Sequence, residues 1–136
     1  MKTALIYYSW SGHTAKYAKE RAEKENAEIF AVSEKNKPGK LKAYTWGCFS
    51  AMRMKSAEII PLTAALEDYD KIIIMAPVWA GHPAPAINAV FDLLPAGKEI
   101  DMLLISASGN SSCEEKVRQL IESKECKLVN FENIKG

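Results

Sequence analysis

The chain lacks the features that would mark a membrane, disulfide-stapled or nucleic-acid-binding protein. No apolar run approaches the ~20 residues of a membrane-spanning helix. Met1-Lys2-Thr3 leads directly into a short strand-like run, without the longer apolar stretch and cleavage site of a signal peptide. There are 3 cysteines, Cys48, Cys113 and Cys126, with no short spacing between any two. They fit neither a zinc knuckle nor a disulfide framework, and the simplest home is a reducing cytoplasm. Charge of one sign is also missing: 18 Lys and Arg against 17 Asp and Glu leave +1. A nucleic-acid groove or a polybasic membrane patch is therefore not expected. The clusters Lys35-Asn36-Lys37 and Lys40-Leu41-Lys42 read as solvated loop, because interleaved Glu residues cancel their field.

Several phosphate chemistries are excluded in the same way. There is no Gly-x-x-x-x-Gly-Lys-Ser/Thr, which removes the usual nucleoside triphosphate cradle. There is no Gly-x-Gly-x-x-Gly after the first strand, which removes the common dinucleotide fingerprint. The first strand does not end in paired carboxylates, which disfavours a phospho-acceptor receiver. No loop carries a Cys with a following Arg of the phosphatase kind.

What is present is an ordinary globular balance. The chain has 136 residues, 48% hydrophobic and 26% charged, which bounds it to a single domain, 1–136, with a sizeable core. Short apolar runs alternate with helical periodicity, the pattern of βαβ units and a mostly parallel sheet. The strands are read at Thr3–Tyr8, Glu28–Val32, Lys71–Ala76, Met102–Ser106 and Lys127–Phe131. The first helix runs to about Glu25 with Ala15, Ala18 and Ala22 on one face. A second carries Leu41, Tyr44, Thr45, Cys48 and Met52, with Pro61 breaking it off. A third carries the stripe Ile87, Val90, Phe91 and Leu94, and a fourth, capped by Ser112, carries Val117, Leu120 and Ile121. Right-handed crossovers leave few topologies, and the doubly wound order 2-1-3-4-5 is the natural one. Its ligand crevice lies at the carboxyl ends of strands 1 and 3.

Three loops reach that crevice. In Ser9-Trp10-Ser11-Gly12-His13-Thr14 a buried strand gives way to a helix start, whose free amides and positive dipole end suit an anion. Ser9, Ser11 and Thr14 add hydroxyls, Gly12 permits a tight turn, and no Lys or Arg lies in the loop. A phosphate would be held by neutral donors; the alternative is that these hydroxyls only satisfy a turn and cap a helix. In Pro77-Val78-Trp79-Ala80-Gly81-His82-Pro83, Trp79 offers a flat apolar face to a flat ring. Ser106-Ala107-Ser108-Gly109-Asn110 offers small side chains and backbone donors. A phosphate tethered to a heteroaromatic ring fits the three together.

These residues resemble a flavodoxin. The first loop is similar to the Ser/Thr-x-Thr-Gly-Asn-Thr phosphate loop of that family, with Ser11 and His13 in place of Thr and Asn. Tyr69 to Gly81 resembles the strand and isoalloxazine loop of short flavodoxin-like proteins, and Ser108-Gly109-Asn110 stands at the third flavin loop. The resemblance implies a five-stranded flavodoxin-like fold carrying FMN without a covalent bond. It implies Ser9, Trp10, Ser11, Gly12, His13 and Thr14 around the phosphate, with Trp10 as a possible apolar wall. Pro77, Val78, Trp79, Ala80 and Gly81 would line the ring and ribityl chain, and Ser108, Gly109 and Asn110 the pyrimidine edge. No side chain is required as acid, base or nucleophile, because the flavin carries the chemistry. The backbone at Ala80-Gly81 is expected to reorient toward a proton-bearing flavin nitrogen.

Two functions follow from that likeness. One is electron transfer or small FMN-dependent oxidoreduction, with a redox partner protein or a small-molecule acceptor. The other is a flavodoxin-fold binding module that no longer holds FMN. The +1 charge differs from the acidic surface of electron-carrier flavodoxins. The residues also end where the family's fifth helix would begin. That is expected to leave an apolar patch of several hundred square ångström on one sheet face, covered in a homodimer or by a partner.

Overall fold

The computed structural model describes residues 2–9, 12–35 and 58–136. The helix expected around Leu41 to Met52, and loop residues Trp10 and Ser11, lie outside them. The described elements, in order, are β1 (Thr3–Tyr8), α1 (His13–Glu25), β2 (Glu28–Val32), β3 (Lys71–Trp79), β4 (His82–Pro83), α2 (Pro85–Phe91), β5 (Glu99–Ser106), α3 (Glu114–Ser123) and β6 (Lys127–Lys135). The main sheet runs β2-β1-β3-β5-β6 with every pairing parallel, and β4 folds back antiparallel on the end of β3. This is the flavodoxin-like doubly wound order expected from the sequence.

The burial pattern explains why these runs are strands. Ile72 to Ala76 of β3 are all buried, because the strand pairs on both edges and is covered on both faces. On one face Ala4, Ile6, Ile72, Ile74, Ile100, Met102 and Leu104 pack beneath α2 and α3. There the stripe Ile87, Val90, Phe91 and Leu94 is buried as its spacing predicts, each side chain contributing on the order of 2 kcal/mol. On the other face Leu5, Ile73, Met75, Leu103 and Ile105 meet α1. The α1 stripe is Thr14, Ala18 and Ala22, with Ala15 only half-buried, so the small residues that let the helix lie close begin one position earlier than read.

Three strands are longer than read, and of these β5 begins at Glu99 rather than Met102. β3 continues through Pro77 to Trp79 because its pairing with β1 ends at Met75. Beyond that point β3 pairs with β5 up to Pro77 against Ile105 and then with β4, so the missing proline N–H costs no bond on the β1 side. β6 continues through Asn130, Glu132 and Asn133 to Lys135, in register with β5 apart from one bulge beside Ile100 and Asp101. Ser112 does not cap α3; the N-cap is Cys113.

The apolar patch expected on the α1 face is not there among the described residues. Leu103 and Ile105 are 0% and 4% exposed, and the large exposed hydrophobics, Ile29, Ile60, Leu93 and Val129, are dispersed along the chain. A charged network occupies this face instead. Arg21 of α1 donates to Glu25 at 2.6 Å and reaches Glu132 at 3.5 Å and Asp101 at 3.8 Å. Lys71 stands 3.6 Å from Glu25 and 3.9 Å from Asp101. Asp101 is buried, and Asn130, brought opposite by the bulge, donates to its Oδ1 at 2.9 Å.

Burial pushes the Asp101 carboxyl above its ordinary range, against the opposing pull of Asn130, Lys71 and Arg21. An acid shifted in that direction contributes stability below its unfolded pKa, near ~3.9, and loses that contribution as pH rises through its folded value. Asp101→Asn keeps an acceptor for Asn130 and cannot ionise. It is expected to melt above wild type at neutral pH, with the two melting temperatures converging at about pH 3. Thermal melts across that range check it; a variant that melts lower at neutral pH would show that the ion pairs outweigh burial.

Candidate functional site

The crevice forms where the carboxyl ends of β1 and β3 part. Beyond β1 the chain turns sharply into α1. Gly12 takes φ +96°, a left-handed conformation open to glycine, and no neighbouring atom lies within 4 Å of where a Cβ would stand. The Ser9 hydroxyl accepts the Gly12 N–H at 2.9 Å, which closes the turn and leaves the hydroxyl its own proton to donate. His13 is exposed at the first position of α1, and the opening amides of a helix have no carbonyl behind them to receive their hydrogens. Thr14 is 3% exposed, at the head of the stripe facing the sheet. The donor set is neutral throughout, with the dipole end of a 13-residue helix behind it, and suits a phosphate.

The second loop is a hairpin, which the sequence reading missed. Val78 pairs with Pro83 and Trp79 with His82, leaving a two-residue turn at Ala80 and Gly81. Both take positive φ, +51° and +80°, as a type I′ turn requires. Trp79 is half-buried and packs edge-on to Tyr8, ring centroids 6.3 Å apart at 78°. Tyr8 immediately precedes Ser9, so the indole stands beside the phosphate loop. The Tyr8 hydroxyl donates to Glu34; burial first, then that hydrogen bond and the Glu34 charge, push the phenol far above its ordinary pKa. The segment carrying Glu34 is held by Lys35 and Ile60 amides donating to Glu58 and Ser33 carbonyls at 3.1 and 2.8 Å.

The third loop is organised by Ser106. Its Oγ accepts the Gly109 N–H at 3.0 Å and donates to the Asn110 carbonyl at 3.3 Å, while Ser108 Oγ accepts the Asn110 N–H at 3.2 Å. The extended β6 braces it from outside: Ser111 donates to Asn133 at 2.7 Å, and Gly136 N–H to the Ser106 carbonyl at 2.9 Å. Ser112 joins the third loop to the second, its N–H donating to the Gly81 carbonyl at 2.9 Å. On the other side of the turn His82, 6% exposed, places Nδ1 3.0 Å from the Ala80 carbonyl. Both carbonyls of the turn are thus engaged, and the reorientation expected at Ala80-Gly81 would have to break those contacts. Ser9, Gly12, Trp79, Gly81 and the Ser108–Asn110 loop are therefore linked through Tyr8, Ser106 and Ser112, whose part in joining the loops no sequence spacing showed.

Among the described residues no group of three or more His, Cys, Asp or Glu is arranged to hold a metal ion. No described helix is long and apolar enough to cross a membrane.

With this geometry the comparisons with known proteins agree. The model of the NADPH-dependent FMN reductase family matches residues 7–126, and the chain belongs to that family. A flavoprotein from Lactobacillus acidophilus NCFM, solved in complex with FMN, is 25% identical with a TM-score of 0.75, covering 96% of this chain and 91% of that one. A Bacteroides eggerthii protein superposes with a TM-score of 0.79 at 16% identity, covering 96% and 86%. Oxidised flavodoxin 1 from Bacillus cereus, 17% identical with a TM-score of 0.54 and coverages of 96% and 82%, shares the fold. No curated protein sequence matches the chain. FMN is the cofactor of the family, and the chain is an FMN-binding protein of flavodoxin-like fold and oxidoreductase type.

The turn yields a test. A Cβ on Gly81 would both adopt a strained φ and collide with Ser112 Oγ. Gly81→Ala is expected to cost about 2 kcal/mol, part from backbone strain and part from the overlap. In a Ser112→Ala background the same change should cost about 1 kcal/mol less. Denaturant melts of the four proteins measure the coupling, and strictly additive costs would rule the collision out.

Proposed function

We propose that the chain is an FMN-dependent reductase that takes electrons from a nicotinamide and passes them to a small-molecule acceptor or a redox partner protein. The observation that carries this reading is the juxtaposition of a neutral anion cradle at the start of α1 with the Trp79 hairpin wall one aromatic ring away. The family match points to reduction with a nicotinamide donor, and the +1 charge supplies no acidic field for steering a basic partner.

In this reading Ser9, Ser11 and Thr14, with the His13 amide beyond the turn that Gly12 permits, hold the phosphate. Pro77, Val78, Trp79, Ala80 and Gly81 line the ring and ribityl chain, and Ser108, Gly109 and Asn110 approach the pyrimidine edge. When bound, FMN supplies the hydride and electron chemistry. The residues of the chain bind and orient it, and the half-buried indole keeps water from one side of the ring. A homodimer, or another partner covering the α1 side of the sheet, belongs to the same proposal.

Purified protein given FMN is expected to turn yellow, absorbing near ~450 nm, and to consume NADPH with no second protein present. Ser9→Ala should weaken FMN binding about fivefold, the worth of one hydrogen bond. Absorbance and titration of flavin fluorescence measure both. FMN uptake without consumption of NADPH or NADH would leave a carrier rather than a reductase.

A further inference from the structure

The Ala80–Gly81 turn has an unusual attachment. Its two central residues sit at φ +51° and +80°, and the first is alanine, which pays a steric penalty there that glycine does not. Two elements hold the turn in that shape. From the loop before α3, Ser112 donates to the Gly81 carbonyl at 2.9 Å. From β4, His82 lies with Nδ1 3.0 Å from the Ala80 carbonyl and Nε2 3.2 Å from Lys116 Nζ on α3. A carbonyl only accepts and an ammonium only donates, so these partners assign the imidazole hydrogen to Nδ1 and the lone pair to Nε2. His82 is buried, while Lys116 is exposed. His82 is also the cross-strand partner of Trp79, so the two side chains share a face of the hairpin.

We propose that His82 is a positioning residue for the ring wall. Its imidazole, with its tautomer set by Lys116, clamps the Ala80–Gly81 turn, and with it Trp79, to the start of α3. The inference rests on the reading that residues 77–81 line the flavin. It goes beyond that reading because it places the control of the wall's shape in two residues that need not touch the cofactor. A wall held in its final shape before binding loses less conformational freedom on binding, and so binds FMN more tightly.

The test compares wild type with His82→Leu, His82→Asn and Lys116→Met. Two readouts need no FMN: the His82 tautomer from imidazole nitrogen NMR shifts, and hydrogen exchange at the Ser112 amide. The third is FMN affinity from fluorescence titration. Wild type is expected to carry the hydrogen on Nδ1. His82→Leu should speed Ser112 exchange and weaken FMN binding roughly five- to tenfold, a hydrogen bond's worth. His82→Asn, whose amide nitrogen stands near the place of Nδ1, should restore both to within about twofold of wild type. Lys116→Met, a change on the exposed side of α3, should populate the other tautomer and speed Ser112 exchange; it decides the matter if His82→Leu does not fold. A hydrogen on Nε2 in wild type, unchanged Ser112 exchange in both variants, or a loosened turn with unchanged FMN affinity would overturn the proposal. If wild type takes up no FMN, the functional reading fails, while the two FMN-free readouts still decide whether the clamp exists.

Discussion

Everything at the crevice hangs from β3. Its buried run, Ile72 to Ala76, pairs in parallel with β1 on one edge and β5 on the other. Because α1 leaves β1 toward one face while α2 and α3 cover the other, the chain directions diverge at the ends of β1 and β3. The gap between those ends is the one place where loops from both faces can meet over a ligand. The pairing lengths then shape it. β1 stops pairing at Met75, whereas β3 runs on to Trp79, so the last residues of β3 are freed on the β1 side and can turn back as a hairpin beside the phosphate loop.

How much of this could be read in advance follows from where the determining contacts lie. A strand covered on both faces must be apolar at every position, so Ile72-Ile73-Ile74 was legible alone. The stripe Ile87, Val90, Phe91 and Leu94 was legible because a helix with one buried face repeats every three to four residues. The strand order followed from strict alternation and crossover handedness, and the loops quoted for the site were found because they follow strand ends. The hairpin was not legible. A type I′ turn usually announces itself with Asn-Gly or Asp-Gly, and Ala80-Gly81 does not; Pro77 looked like a stop because its unpaired edge is a tertiary fact. Ser112 looked like a cap because Ser before a helical stripe usually is one. Its acceptor, the Gly81 carbonyl, is 31 residues away, as His82 is 34 from Lys116. No local pattern encodes such pairs.

The α1 face shows a related failure with a different cause. Sequence reasoning treated the absence of a covering helix as the exposure of apolar surface. That inference holds only if the outer strand is apolar on that side. β6 presents Asn130, Glu132 and the partly buried Ile134 there, opposite Asp101, Leu103 and Ile105, and Arg21 reaches from α1 to Glu132. Long side chains can cover apolar neighbours with their methylene stems while their charged ends stay in contact with water or with each other. Leu103 and Ile105 are buried in one cluster with Ala18 and Ala22 of α1, against which Tyr17 and Ile134 pack. The cost is the desolvated Asp101 carboxylate, whose cations stand at 3.8 and 3.9 Å, too far for close hydrogen-bonded pairing.

The two halves of the site are built on different physical terms. The turn before α1 is local: Ser9 closes on Gly12 three residues later, and the helix that supplies a field favouring an anion begins at the next position. Such a loop forms as soon as β1 and α1 form, and its preference for an anion needs no distant partner. The ring wall is not local. Ala80 at positive φ costs on the order of 1 kcal/mol, and the contacts on the turn come from His82 of β4 and, across 31 residues, from Ser112 after β5. An anion held at that turn would therefore draw on the first third of the chain, while the shape of the turn beside Trp79 depends on the packing of α3. Weakening α3 should disturb the ring before it disturbs the phosphate, because only the wall takes its shape from that helix.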